Sequence, residues 1–200
     1  MKNLTLLLLL ITTLSCAQEK RPVLGDTEFQ REINAEYKDA SKSPLKDKDR
    51  KTFTTLDFFK FDSTYVVKAS LKRTPNTDWF NMKTTTSRVS KERVFGILSF
   101  ELKGKQFQLN VYQGKDLMLE AGYEDYLFLP FLDQTNGLES YGGGRYIDLK
   151  IPNGDVIEID FNTAYNPYCA YNENYSCPIV PRENYLKTKI EAGVKAFDKH

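Results

Sequence analysis

The only histidine in the 200-residue chain is His200, the last residue. Its position removes the Ser-His-Asp triad, the Cys-His pair and the histidine-rich zinc site from the chemistry available. Any hard-cation site would need carboxylate, amide and backbone oxygens, and neither a metal centre nor a cofactor is expected. Acid–base work falls to carboxylates, with Glu158 or Asp160 acting with Glu191 as candidate catalytic groups. Such pairs cleave glycosides without histidine.

A second group of residues suits binding. Between Asp160 and Asn184 the sequence DFNTAYNPYCAYNENYSCPIVPREN gathers tyrosines and asparagines among three prolines. Ordered loops this long usually serve a function, and Tyr with Asn presents flat, partly polar surface at low entropic cost. The candidate binding residues are Asn162, Tyr165, Asn166, Tyr168 and Asn184, with Arg145, Tyr146 and Asp160 just upstream. The competing reading is a lid over an open sheet end, its Asn side chains satisfying backbone groups. Gly142-Gly143-Gly144 before Arg145 reads as a flexible turn or as an anion nest. Arg145 itself fits that nest or an ion pair with a core carboxylate.

The elements that must position these residues are mostly strands. Tyr65–Leu71, Trp79–Thr85, Arg93–Leu102, Gln106–Tyr112 and Tyr126–Leu132 are rich in β-branched and aromatic residues and are separated by turn-formers. Arg145–Ile151 and Asp155–Phe161 flank Pro152-Asn153-Gly154 and are expected to form a hairpin, with Gly154 left-handed. Its register places Ile147, Leu149, Ile151, Ile157, Ile159 and Phe161 on one face. On the other it sets Tyr146 opposite Asp160 and Asp148 opposite Glu158. Ahead of the strands, Asp26-Thr27 can cap a helix to about Ala40 with Phe29, Ile33, Tyr37 and Ala40 on one stripe. Ser41 to Lys51 reads as a charged connector. The expected fold class is mainly β (α+β): an antiparallel sandwich or open barrel with an N-terminal helix and a long disulfide-stapled loop.

The N-terminus implies export. Lys2, then an apolar run from Leu4 to Leu14, then small Ser15, has the build of a signal peptide and is too short to span a bilayer. Cleavage before Cys16 would leave a lipidated cysteine, although Leu14 lies two residues before it rather than the usual three. Cleavage after Ala17 would release a soluble protein. The expected organisation is a signal over 1–15, lipidated Cys16 and tether over 16–25, and one globular domain over 26–200. Either cut leaves Cys169 and Cys177 as an even pair, expected to be a disulfide in an oxidising compartment. Loss of Lys2 brings Lys+Arg from 28 to 27 against 27 Asp+Glu. This neutral, interspersed charge lacks the basic footprint of a nucleic-acid binder.

Ala164-Tyr165-Asn166-Pro167, Cys169-Ala170, Cys177-Pro178, Glu183-Asn184 and Ile190-Glu191-Ala192-Gly193 resemble the signature of the domain of unknown function 1684 family. Gly142, Gly144, Arg145 and Tyr146 resemble its lead-in, and the resemblance is densest over 126–197. It implies no activity. The expected protein is therefore an envelope lipoprotein, held by Cys16 to the outer or cytoplasmic membrane. It would bind a small polar ligand, glycan or peptide; a carboxylate hydrolase and an assembly protein are the alternatives.

Overall fold

The computed structural model describes residues 24–197. The expected signal peptide, Cys16 and His200 lie outside the described residues, as does most of the tether. All seven expected strands form: β1 (Val66–Arg73), β2 (Phe80–Lys83), β3 (Val89–Leu102), β4 (Lys105–Gly114), β5 (Tyr126–Phe131), β6 (Arg145–Lys150) and β7 (Val156–Asp160). They make one antiparallel sheet in the order β6-β5-β4-β3-β1-β7, with β2 pairing on β3. The sheet curls into a half-barrel, the open-barrel alternative of the sequence reading. Its concave side holds Leu98, Leu109, Leu129, Ile147, Ile159 and Phe161 in one cluster.

The expected hairpin between β6 and β7 does not form. β6 pairs with β5, so that Asp148 lies opposite Phe128 and Tyr146 opposite Pro130. β7 pairs with β1, so that Glu158 lies opposite Lys68 and Asp160 opposite Val66. The two strands are the opposite edges of the curled sheet, and Asp148 does not face Glu158 across a ladder. Side-chain parity survives: Ile147, Ile157, Ile159 and Phe161 are buried, with Leu149 and Ile151 packed beside them. Face is fixed by the strand period of two, whereas partner is chosen by the whole sheet. Gly154 does not take the left-handed conformation. The 151–155 loop is held instead by Arg73, which donates to the Pro152 and Gly154 carbonyls at 2.8 and 3.1 Å.

Helix α1 (Glu28–Lys38) begins where expected, the Thr27 hydroxyl accepting from Gln30 N–H at 3.2 Å. The charged connector contains a second, short helix, α2 (Asp47–Thr52). It has no apolar stripe, and so no periodic signal. Acidic Asp47 and Asp49 in its first turn and basic Arg50 and Lys51 in its last complement the helix dipole.

The C-terminal segment closes the half-barrel. Leu186, Ile190 and Ala192 enter the main core, while Val194 N–H donates to Ala164 O at 2.8 Å. Gly193 makes this docking possible. Its φ is +79°, and a Cβ there would stand 2.4 Å from Ala164 O. Among the described residues, no helix is long and apolar enough to cross a membrane.

Candidate functional site

On β6 the alternation that sends Arg145, Ile147 and Leu149 inward sends Tyr146 and Asp148 outward. The free edge of β6 then pairs with the long loop at one point. Tyr146 N–H donates to Tyr165 O at 2.9 Å and Tyr165 N–H to Tyr146 O at 3.0 Å. This bridge sets the Tyr165 ring edge-on to the Tyr146 ring, 5.9 Å between centroids at 88°. Helix α1 covers the other side. The result is a cavity of about 370 Å³ between α1, the outer face of β6 and the loop. Phe29, Tyr37, Tyr146, Tyr165 and Tyr168 supply its rings, and Glu32, Glu36 and Asp148 its carboxylates.

Asp148 is its most organised polar group. Its Oδ1 accepts from Tyr165 Oη at 2.6 Å and from Tyr126 Oη at 2.7 Å, while Oδ2 takes no hydrogen bond from the described residues. Burial, reinforced by the Asp148 carboxylate, pushes both phenols well above the usual tyrosine range. They remain protonated donors rather than nucleophiles. Burial also raises Tyr168, with the carboxylates of Glu36 and Asp148 adding to it, which places this half-exposed phenol under the influence of both. Tyr146 donates to the Pro178 carbonyl.

A second cavity of about 400 Å³ adjoins the first across the Tyr146–Tyr165 wall, with Arg88, Ser90, Glu92, Lys115 and Tyr126 among its lining residues. Glu92 is only 6% exposed. Its Oε1 accepts from Ser90 Oγ at 2.6 Å and its Oε2 has no partner among the described residues. Burial raises its pKa.

Three of the expected binding residues, Tyr146, Tyr165 and Tyr168, thus converge on one cavity. The others serve the frame. Arg145 is 0% exposed. It pairs with Asp133 at 2.9 Å, and its guanidinium donates to the carbonyls of Ile190 and Ala192. Of its two sequence readings, the ion pair with a core carboxylate is the one the structure contains. Gly144 is the glycine of the run that this frame requires: at φ +90° a Cβ would lie 2.7 Å from Phe131 O. Asn162 exchanges hydrogen bonds with the Asp62 backbone at 3.0 and 3.1 Å. Asn166 donates to Lys195 O at 2.8 Å. Asn184 bonds to the Asn110 N–H and to the carbonyls of Asn110 and Pro130. Here the asparagines satisfy backbone groups and the tyrosines face the cavity.

The three catalytic candidates do not share a cleft. Glu158 points outward on exposed β7 surface. Asp160 caps the 3-10 turn over Phe161–Thr163, accepting from Asn162 N–H at 2.9 Å. Glu191 lines a separate depression beside Lys103 and Asp62. Among the described residues, no group of three or more His, Cys, Asp or Glu could hold a metal ion.

Cys169 and Cys177 are free thiols rather than the expected disulfide. They remain neighbours, with Cys169 N–H donating to Cys177 Sγ at 3.2 Å. Backbone hydrogen bonds hold the loop at this point without a covalent staple. Thr85 N–H donates to Cys177 O at 2.9 Å, and Ile179 N–H to Lys83 O at 2.8 Å. The bond between the thiols holds Cys169 below the usual thiol range and pushes Cys177 above it.

Sequence reasoning did not single out Phe29, Glu36, Tyr126 or Glu92 as site residues. The helical spacing of Phe29, Glu32 and Glu36 and the outward parity of Tyr146 and Asp148 were available as signals. Their meeting was not.

Fold and cleft together define a class: a half-barrel β protein with an aromatic cleft where a long loop meets an edge strand. Residues 51–195 match the family described as a protein of unknown function (DUF1684), and the chain belongs to that family. It is similar to the uncharacterized protein from gene locus rrnAC0354 of Haloarcula marismortui, solved by solution NMR. The two are 32% identical, with 83% of this chain and 89% of that chain covered, at a TM-score of 0.65. No curated protein matches.

Proposed function

We propose that this protein is a ligand-binding lipoprotein of the cell envelope and that its ligand occupies the cleft between α1, β6 and the 162–184 loop. The ligand class is a small polar molecule, a glycan or a peptide. The observation that carries the reading is the convergence of Tyr146, Tyr165, Tyr168 and Asp148 on one cavity of about 370 Å³. That volume is in the range of small-molecule sites, which pair apolar walls with a few oriented polar groups. Rings held edge to face and a carboxylate held by two phenols need little ordering on binding, which favours affinity.

A thermal-shift panel of envelope glycans, short peptides and small polar metabolites tests this. At least one compound should raise the melting temperature of the mature protein. Tyr168→Ala, at a side chain 39% exposed, should reduce that gain with little effect on the unliganded protein. A panel without a hit, or a hit indifferent to Tyr168→Ala and Asp148→Asn, sinks the reading. Anchoring is separate and is read by intact mass. A diacylglyceryl-modified Cys16 supports the lipoprotein, whereas a bare Gln18 means cleavage after Ala17 and a soluble exported protein.

A further inference from the structure

We propose that the cleft takes an organic ammonium group, a deeper statement of ligand class that rests on the binding reading above. Four observations converge on it. The cavity is walled by five aromatic rings, whose faces carry negative electrostatic potential and attract cations. Three carboxylates, Glu32, Glu36 and Asp148, line the same space, and none forms an ion pair with a described residue. Among the described residues, no lysine or arginine lines it. The Asp148 Oδ2 takes no donor from the described residues, while Oδ1 is already held by Tyr126 and Tyr165.

Two basic side chains of the described residues are engaged elsewhere. Lys46 pairs with Glu173. Arg88, beyond the Tyr146–Tyr165 wall, donates to Ser176 Oγ and O at 3.2 and 2.7 Å. Glu32, Glu36 and Asp148 are solvent-exposed, so a neutral sugar would meet rings and acceptors here but would gain nothing from their charge. An anion would meet three like charges. A cation matches both the rings and the carboxylates, and Tyr168, which lines the same cavity as Glu36 and Asp148, would contact it from the loop side.

The test uses mature, 15N-labelled protein titrated with butyltrimethylammonium, n-butylammonium and Nα-acetyl-lysine amide. The neutral isostere 3,3-dimethylbutan-1-ol and neutral disaccharides are the controls. Amide shifts at Glu36, Tyr146 and Tyr168 report occupancy. At least one ammonium probe should saturate the site at least tenfold more tightly than the neutral isostere, and more weakly as salt is raised. Glu36→Gln and Asp148→Asn should each weaken it about three- to tenfold while leaving the amide spectrum otherwise intact. Ranking the three probes separates a methylated ammonium, a free amine and a lysine side chain as the source. Equal binding of the neutral isostere, or ammonium binding unchanged in both charge variants, overturns the proposal. Disaccharide binding in the cleft without ammonium binding also overturns it, and leaves the binding reading standing. If no probe and no compound of the thermal-shift panel binds, both fail.

Discussion

Two buried charged side chains have opposite consequences for stability. Glu92 is buried with one oxygen unpartnered, and burial raises its pKa. A carboxyl whose folded pKa lies above its unfolded value adds stability that is complete below the unfolded pKa and is lost as pH rises through the folded one. Glu92→Gln should therefore match the parent near pH 3–4 and gain on it toward pH 7. An unpaired buried polar group costs on the order of 1 kcal/mol or more, so the gain at neutral pH should be roughly 2–4 °C. Melting curves across this pH range check it, and a pH-independent difference would be the contrary result. Arg145 is the contrasting case, a buried cation whose terminal nitrogens are held by Asp133 and the C-terminal carbonyls, although its Nε has no partner among the described residues. Arg145→Met should cost about 3–5 kcal/mol in urea denaturation because Asp133 is left uncompensated. Adding Asp133→Asn should recover part of it. The two cysteines differ in kind as well. Cys169, held below the usual thiol range, should alkylate readily near neutral pH while Cys177 stays inert. Peptide mapping after brief iodoacetamide treatment reads the ratio.

At the scale of elements, the weakest seam of the sheet is where β4 meets β5. Only Tyr112 and Phe128 pair there, and Pro130 has no N–H to offer the ladder. The Asn184 side chain fills the gap, bonding to the backbone of both strands. Asn184→Ala should leave these groups unpaired and cost about 1–3 kcal/mol. Hydrogen exchange should show lost protection at the Asn110 amide, with that of Leu98, in β3, largely retained. Uniform loss across the sheet would mean that the seam is not the local weak point. The loop signature is thus partly a structural device. Its asparagines stitch strands and turns, and its tyrosines face the cleft.

At the scale of the whole molecule, the C-terminal segment converts an open half-barrel into a closed core, and Gly193 sits where it crosses the loop. Gly193→Ala combines a positive φ with a Cβ 2.4 Å from Ala164 O. Where the backbone is compatible, Gly→Ala stabilises by roughly 1 kcal/mol or less; here it should destabilise by more than that. Because Ala164 adjoins Tyr165, it should also weaken ligand binding. Denaturation and the ammonium titration, run on one preparation, measure both.

Strand positions and buried faces were legible along the chain, because alternation in β4 and β6 and the cap at Thr27 are local properties of neighbouring residues. The segment carrying the site was legible too, since Tyr165 and Tyr168 stand in an unusual Tyr/Asn/Pro run. Tertiary structure alone decided the partners. A turn sequence at Pro152–Gly154 fits a hairpin, yet the sheet gains more by placing β6 on β5 and β7 on β1, where both strands bury their isoleucines against the same core. That choice turned Asp148 away from Glu158 and toward Tyr126 and Tyr165. Arg145 found Asp133, the asparagines found backbone, and Glu36 on α1 came to line one cavity with Tyr168. A sequence states the parity of a side chain, which depends on its own strand. It does not state the neighbour across a cleft, which depends on how every strand is ordered.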